Sequence, residues 1–173
     1  ADCKGQFKTG AGHSCAPLTV TDGSSRSLLG CQARGSTGVC EAKPVFIRLS
    51  NEFGVPKRIR TANGGPCATT TLARLSRLSA WWVRLGVRPE LIAPGKPQQN
   101  GRHERMHRPL KAETTRPPAP SLHAQQRKFK CCRHEYSTER PPEALDMRPP
   151  DHLYSSSPRP MPHRLPALEY PDR

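Results

Sequence analysis

His103-Glu104-Arg105-Met106-His107 spells H-E-x-x-H. On a helix this string sets two imidazoles one turn apart on one face with a carboxylate beside them. Such a pair can hold Zn²⁺ while the carboxylate activates a bound water for hydrolysis. The surroundings do not favour that chemistry. Arg102, Arg105 and Arg108 flank the string and oppose a dication, and Pro109 follows where such a helix would normally continue. A third ligand would have to come from His123, His134 or Glu135, none of which sits in a recognisable motif. A zinc metallopeptidase built on His103, Glu104 and His107 stands as an alternative reading.

The arginines suggest different chemistry. The 173 residues carry 28 Lys+Arg against 14 Asp+Glu, a formal charge of +14 with histidines neutral. That excess favours a polyanion through counterion release, and nucleic acid over a membrane surface because no basic amphipathic helix stands out. Arg102, Arg105 and Arg108 recur at i, i+3, i+6, which puts them on one helical stripe suited to phosphates; Lys57, Arg58 and Arg60 form a second basic group. All six are candidate DNA contacts, weighed against an ordinary solvated face. Arg127, Lys128, Lys130 and Arg133 read as surface charge. Trp81 and Trp82 could stack bases, but Leu78 and Leu85 at helical spacing place Trp82 in a core.

The elements that must position these residues follow from periodicity and turn chemistry. Strands are expected at 2–8, 15–22 and 26–33, joined by the glycine-containing 9–14 segment and the Gly23-Ser24-Ser25 turn. Pro44 suits a helix start, with Val45, Phe46, Leu49 and Phe53 on its apolar side and Gly54 at its end. A short strand at 57–61, a helix at 69–86, a fifth strand at 87–93 and helices at 98–111 and 121–138 complete the order βββ-α-β-α-β-α-α. This predicts an α/β fold, a mixed five-stranded sheet flanked by helices. Thirteen of the 20 prolines fall after residue 100. Residues 1–147 are thus expected as one domain and 148–173 as a Pro-rich extended or disordered tail.

Leu, Ile, Val and Phe total 28 residues, too few for a second large core. No apolar run approaches the ~18 residues that span a bilayer. The start lacks an initiator Met and a signal-peptide stretch, so it reads as a chain entered mid-sequence, with a cytoplasmic location expected. Seven irregularly spaced cysteines without C-x-x-C are expected as free thiols.

Pro97-Gln98-Gln99-Asn100-Gly101-Arg102-His103-Glu104 fits P-x-x-N-G-x-x-E. Asp2-Cys3-Lys4-Gly5-Gln6-Phe7 looks like D-F-K-G-x-F with Cys3 in place of the Phe, and Arg60-Thr61-Ala62-Asn63-Gly64 fits R-T-D-N-G apart from Ala62. Pro17–Asp22 with Ser25-Arg26, Leu75–Ser79 with Trp81-Trp82, and Glu139–Leu145 extend the agreement to about residue 154. In these motifs the chain resembles the catalytic core of integrase-type Asp-Asp-Glu transposases of bacterial insertion sequences. The resemblance implies a ribonuclease-H-like core and two Mg²⁺ (or Mn²⁺) ions some 4 Å apart, which drive phosphodiester cleavage and strand transfer. It implies Asp2 as first metal ligand and catalytic residue and Glu104 as third. DNA, as transposon ends and target, is the implied partner, with a homo-oligomer possible and a nucleoid-associated location when DNA is bound. Neither a membrane nor a small-molecule substrate is expected.

Ala62 stands where the family has its second Asp. A methyl group offers no lone pair, so the site is expected incomplete and the chain inactive or degenerate as a nuclease and strand transferase. Asp22 could lie roughly opposite Asp2 if the first two strands pair, although a structural role is favoured. Pro109 and Pro142 replace the Thr and His of the family pattern, and the first strand is expected to be N-terminally truncated. A non-catalytic basic DNA-binding protein on the same fold is the second reading.

Overall fold

The computed structural model describes residues 1–2, 5–62, 76–93, 101–139 and 148–165, the side chain of Arg102 excepted. The expected helix start at 69–75, the Pro97–Asn100 half of the glutamate motif, and the 140–147 part of the last motif with Pro142 lie outside these residues, as do Cys3 and Cys67.

Strand β1 (Phe7–Lys8) pairs antiparallel with β2 (Ser14–Cys15), and β3 (Leu18–Thr21) pairs antiparallel with β4 (Leu28–Gln32). Helix α1 (Val39–Phe53) follows, then β5 (Arg58–Thr61), α2 (Arg77–Arg84), and β6 (Arg88–Leu91), which lies parallel to β5. Helices α3 (Gly101–Thr114) and α4 (Leu122–Thr138) and a 3₁₀ turn at Pro150–Leu153 complete the order. The α/β class and the order from α1 onward agree with the sequence reading, but the single strand expected at 15–22 is two, β2 and β3, so four strands rather than three precede α1. The five-stranded sheet does not appear as such, for the described strands form three two-stranded sheets. Residues 1–2 join two of them. The Asp2 N–H donates to the Thr19 carbonyl and the Thr19 N–H to the Asp2 carbonyl, both at 2.9 Å, while the Ala1 nitrogen donates to the Arg60 carbonyl at 2.7 Å. The spatial order is therefore β4, β3, residues 1–2, β5, β6.

Two helical layers cover the strands. On one side Ala42, Val45, Phe46 and Leu49 of α1 pack with Leu78, Trp81 and Trp82 of α2, Leu85, Val87 and Leu18. On the other, Met106 and Leu110 of α3 and Phe129 and Cys132 of α4 pack with Cys15, Leu28 and Cys31. Trp82 is a core residue, as its spacing predicts, and meets the Phe46 ring edge-on at 5.0 Å. Trp81 is buried too, with the Lys43 ammonium 5.5 Å from its ring centre, so it offers no face for stacking bases.

Local signals account for several ends. Ser76 caps α2 by accepting from the Ser79 N–H, and the Ser79 hydroxyl accepts from the Ser76 N–H in return. Ser121 caps α4 through the Ala124 N–H. Gly54 ends α1 at φ 77°, the left-handed region where glycine is unstrained. Helix α1 starts at Val39, five residues before Pro44, and α3 runs through Pro109 to Thr114. In both cases buried apolar residues on either side of the proline hold the helix together. The described part of the proline-rich segment, residues 148–165, opens with the 3₁₀ turn and then docks on the rest of the chain. Ser157 N–H donates to Phe53 O, Val55 N–H to Arg159 O, and the Arg159 guanidinium reaches the carbonyls of Pro56, Leu85 and Gly86.

Candidate metal and nucleic-acid site

Side chains alternate along a strand, and directly opposed residues of an antiparallel pair share a face. In β3, Leu18 and Val20 pack toward α1 and α2. Thr19 and Thr21 therefore face the opposite way, toward α3, and Asp2 opposite Thr19 shares that face. On α3, His103 and His107 are four residues apart and so lie on one side of the helix. These elements bring Asp2, His103 and His107 together: one carboxylate oxygen and a nitrogen of each imidazole lie within 4.8 Å of one another. All three are buried, at 5%, 6% and 6% exposure.

Hydroxyls tie the group together. Thr19 Oγ1 lies 2.7 Å from Nε2 of His103 and 2.7 Å from Nε2 of His107, and 3.2 Å from the Asp2 carbonyl oxygen. Thr21 Oγ1 lies 2.9 Å from Nδ1 of His103. The Thr19 hydroxyl has a single proton, so at least one imidazole must donate to it. The two rings stand edge-to-face at 4.6 Å.

Glu104, one residue from His103, is exposed on α3 and lies outside this close group. Ala62 follows β5 directly, two residues after Arg60, whose carbonyl holds Ala1. Asp22 is not opposite Asp2; Thr19 is. The Asp22 carboxylate instead accepts from the Ser24 and Ser25 N–H groups and the Ser25 hydroxyl, which fixes the β3–β4 turn. His123, His134 and Glu135 are exposed on α4, so the expected sources of a third ligand for the H-E-x-x-H string are replaced by Asp2. The signal for that partner was the pairing of residue 2 with residue 19, which spacing around 103–107 cannot reveal.

The basic residues divide into two groups. Lys57, Arg58 and Arg60 are exposed at β5, and both guanidiniums bridge to Glu90 of β6, at 3.3 and 3.1 Å. Burial pushes the Glu90 carboxyl up, but the hydrogen bonds and charges of Arg60 and Arg58 together hold it below its ordinary value. Arg105 and Arg108 are exposed on α3, alongside Glu104.

Helical layers thus lie over a strand array, with an aspartate on its middle segment. Residues 85–150 match the family model described as the integrase core domain. The structure is similar to a chain of the simian T-cell lymphotropic virus intasome in complex with PP2A regulatory subunit B56 gamma. That likeness has a TM-score of 0.69 and 18% identity, covering 96% of this chain and 57% of that one. It is similar also to the BIV integrase catalytic core domain (TM-score 0.63, 15% identity, covering 87% and 90%) and to the trimeric HTLV-2 integrase core in complex with magnesium (0.57, 12%, 86% and 90%). The integrase resemblance of the sequence thus holds in the fold. Among the described residues no helix is long and apolar enough to cross a membrane.

The donors around Asp2 do not fit a pair of magnesium ions. Mg²⁺ demands an octahedral shell of oxygens, and among the described residues the ligands that converge here are one carboxylate and two imidazoles, with a methyl group at position 62.

Proposed function

We propose that this chain is a transposase/integrase-type core that binds DNA but does not cleave or join it. The integrase fold supports the first part. The observation that carries the second is the metal seat itself. Asp2 meets two imidazoles rather than further carboxylates, and Ala62 leaves the second acidic position without a ligand. Two Mg²⁺ or Mn²⁺ ions polarise a scissile phosphate only while oxygen ligands hold both, so Asp2 and Glu104 alone make an incomplete catalytic pair. The insertion-sequence origin suggested by the motifs, with transposon ends and target as DNA partners, belongs to this reading. So does a ribonuclease-H-like sheet in which residues 1–2 hold the central place. A bacterial, nucleoid-associated location and self-association belong to it as well.

Binding rests on charge. Arg102, Arg105 and Arg108 on α3 and Lys57, Arg58 and Arg60 at β5 are the proposed phosphate contacts. Fluorescence anisotropy with a labelled duplex tests this. Affinity is expected to fall steeply and linearly on a log–log plot against salt, and Arg105→Glu with Arg108→Glu to weaken all sequences alike. Salt-insensitive binding, or none at low salt, would overturn it. The metallopeptidase alternative gains no support, because the two imidazoles are buried behind Thr19 and Thr21 while Glu104 is exposed.

A further inference from the structure

We propose that Asp2, His103 and His107 form a buried site for a single borderline transition-metal ion, Zn²⁺ or Co²⁺, rather than for Mg²⁺. Two nitrogens and one carboxylate oxygen are a donor set that such ions prefer and that magnesium accepts poorly. The rings already aim at one point. Both Nε2 atoms lie 2.7 Å from the single oxygen Thr19 Oγ1, so a cation near that point would meet both nitrogens, displacing the proton that an Nε2 donates to Thr19. Tetrahedral Zn²⁺ needs donors roughly 3.3 Å apart at its usual bond lengths, which small side-chain rotations reach from a cluster already within 4.8 Å. Thr19 Oγ1 is placed to yield to the ion or to serve as a fourth oxygen donor.

The outer contacts suit the same role. Ligating imidazoles keep their second nitrogen hydrogen-bonded, which fixes ring orientation. Thr21 Oγ1, 2.9 Å from Nδ1 of His103, does this for one of them. With the proton on Nδ1 facing Thr21, Nε2 is the acceptor nitrogen that a metal would take over from Thr19. His107 also lines a cavity of about 160 Å³, with Gln6, Phe7, Pro17 and Lys111 at its sides. This site shares Asp2 with the proposed function but rests on the imidazoles, and DNA binding does not depend on it.

Titration of the full chain with Co²⁺, followed by visible absorption, tests the proposal. The expected result is an intense d–d band of tetrahedral cobalt that saturates at one equivalent. It should lack a sulfur-to-cobalt charge-transfer band, bleach with Zn²⁺ and persist in excess Mg²⁺. His103→Gln and His107→Gln should each abolish the band, and His123→Ala should leave it unchanged. Thr21→Val keeps the side-chain volume and removes only the outer hydrogen bond, so it should fold and weaken Co²⁺ about 10–100-fold. No stoichiometric band, a band with sulfur character, a band surviving both histidine variants, or unchanged affinity in Thr21→Val would each overturn the proposal. Anisotropy with DNA in the presence of a chelator separates the outcomes, since loss of cobalt binding with DNA binding intact sinks only the metal site.

Discussion

At the scale of single residues, burial decides which cysteines can react. Burial pushes the Cys15 thiol up from its ordinary value near 9.0 to about 11, against the opposing effects of the Arg34 hydrogen bond and charge, and burial likewise pushes Cys31 upward. Both thiols stay protonated in the fold, whereas the unfolded chain ionises them near 9. The folded state therefore holds more protons in that range, and stability is fully present below pH 9 and is lost as pH rises through about 11. Chemical denaturation at pH 7 and pH 10 should show the midpoint falling, and Cys15→Ala should reduce that fall. Exposed Cys40 and Cys131 should react first with a thiol reagent, and Cys15 and Cys31 only on unfolding. Early labelling of Cys31 would contradict the packing between α4 and β4.

At the scale of elements, two local features carry most of the risk. Pro109 sits inside α3 with no N–H to return to Arg105. Pro109→Ala should raise stability by about 3 kcal/mol at most, seen as an increase in the denaturation midpoint; a decrease would mean that the proline ring is needed in the packing around it. Gly54 combines a positive φ with close approach of Ser157, and a Cβ there would collide with the Ser157 carbonyl oxygen. Gly54→Ala should cost more than the ~1 kcal/mol of backbone strain alone and should expose the 148–165 segment to proteolysis. Periodicity and caps made most elements readable. The 3–4 spacing in Val45, Phe46 and Leu49 placed α1, and Ser121 marked the start of α4. Helix starts were less readable: α1 begins before its proline because Ala42 packs into the core with no local signal. The register between residue 2 and β3 was not readable either, since a single pair of backbone hydrogen bonds sets it. That register put Thr19, rather than Asp22, opposite Asp2. It also turned a two-histidine motif without a third ligand into a three-residue cluster.

At the scale of the whole molecule, charge and fold point the same way. A net charge of +14 favours encounter with a phosphate polymer and makes that encounter sensitive to salt. Fold alone does not carry chemistry; the donors at the site do. Three carboxylates meeting over two hard cations would give a strand-transfer enzyme, whereas Asp2 beside His103 and His107, with Ala62 where the resembled motif has Asp, is the basis of the binding core proposed above. Incubation of supercoiled DNA with the chain in Mg²⁺ or Mn²⁺ tests that claim most directly, read as conversion to nicked circles and run beside Ala62→Asp. The account predicts no metal-dependent nicking by the unmodified chain, with any activity confined to Ala62→Asp. Robust nicking by the unmodified chain, abolished by Asp2→Ala, would contradict it.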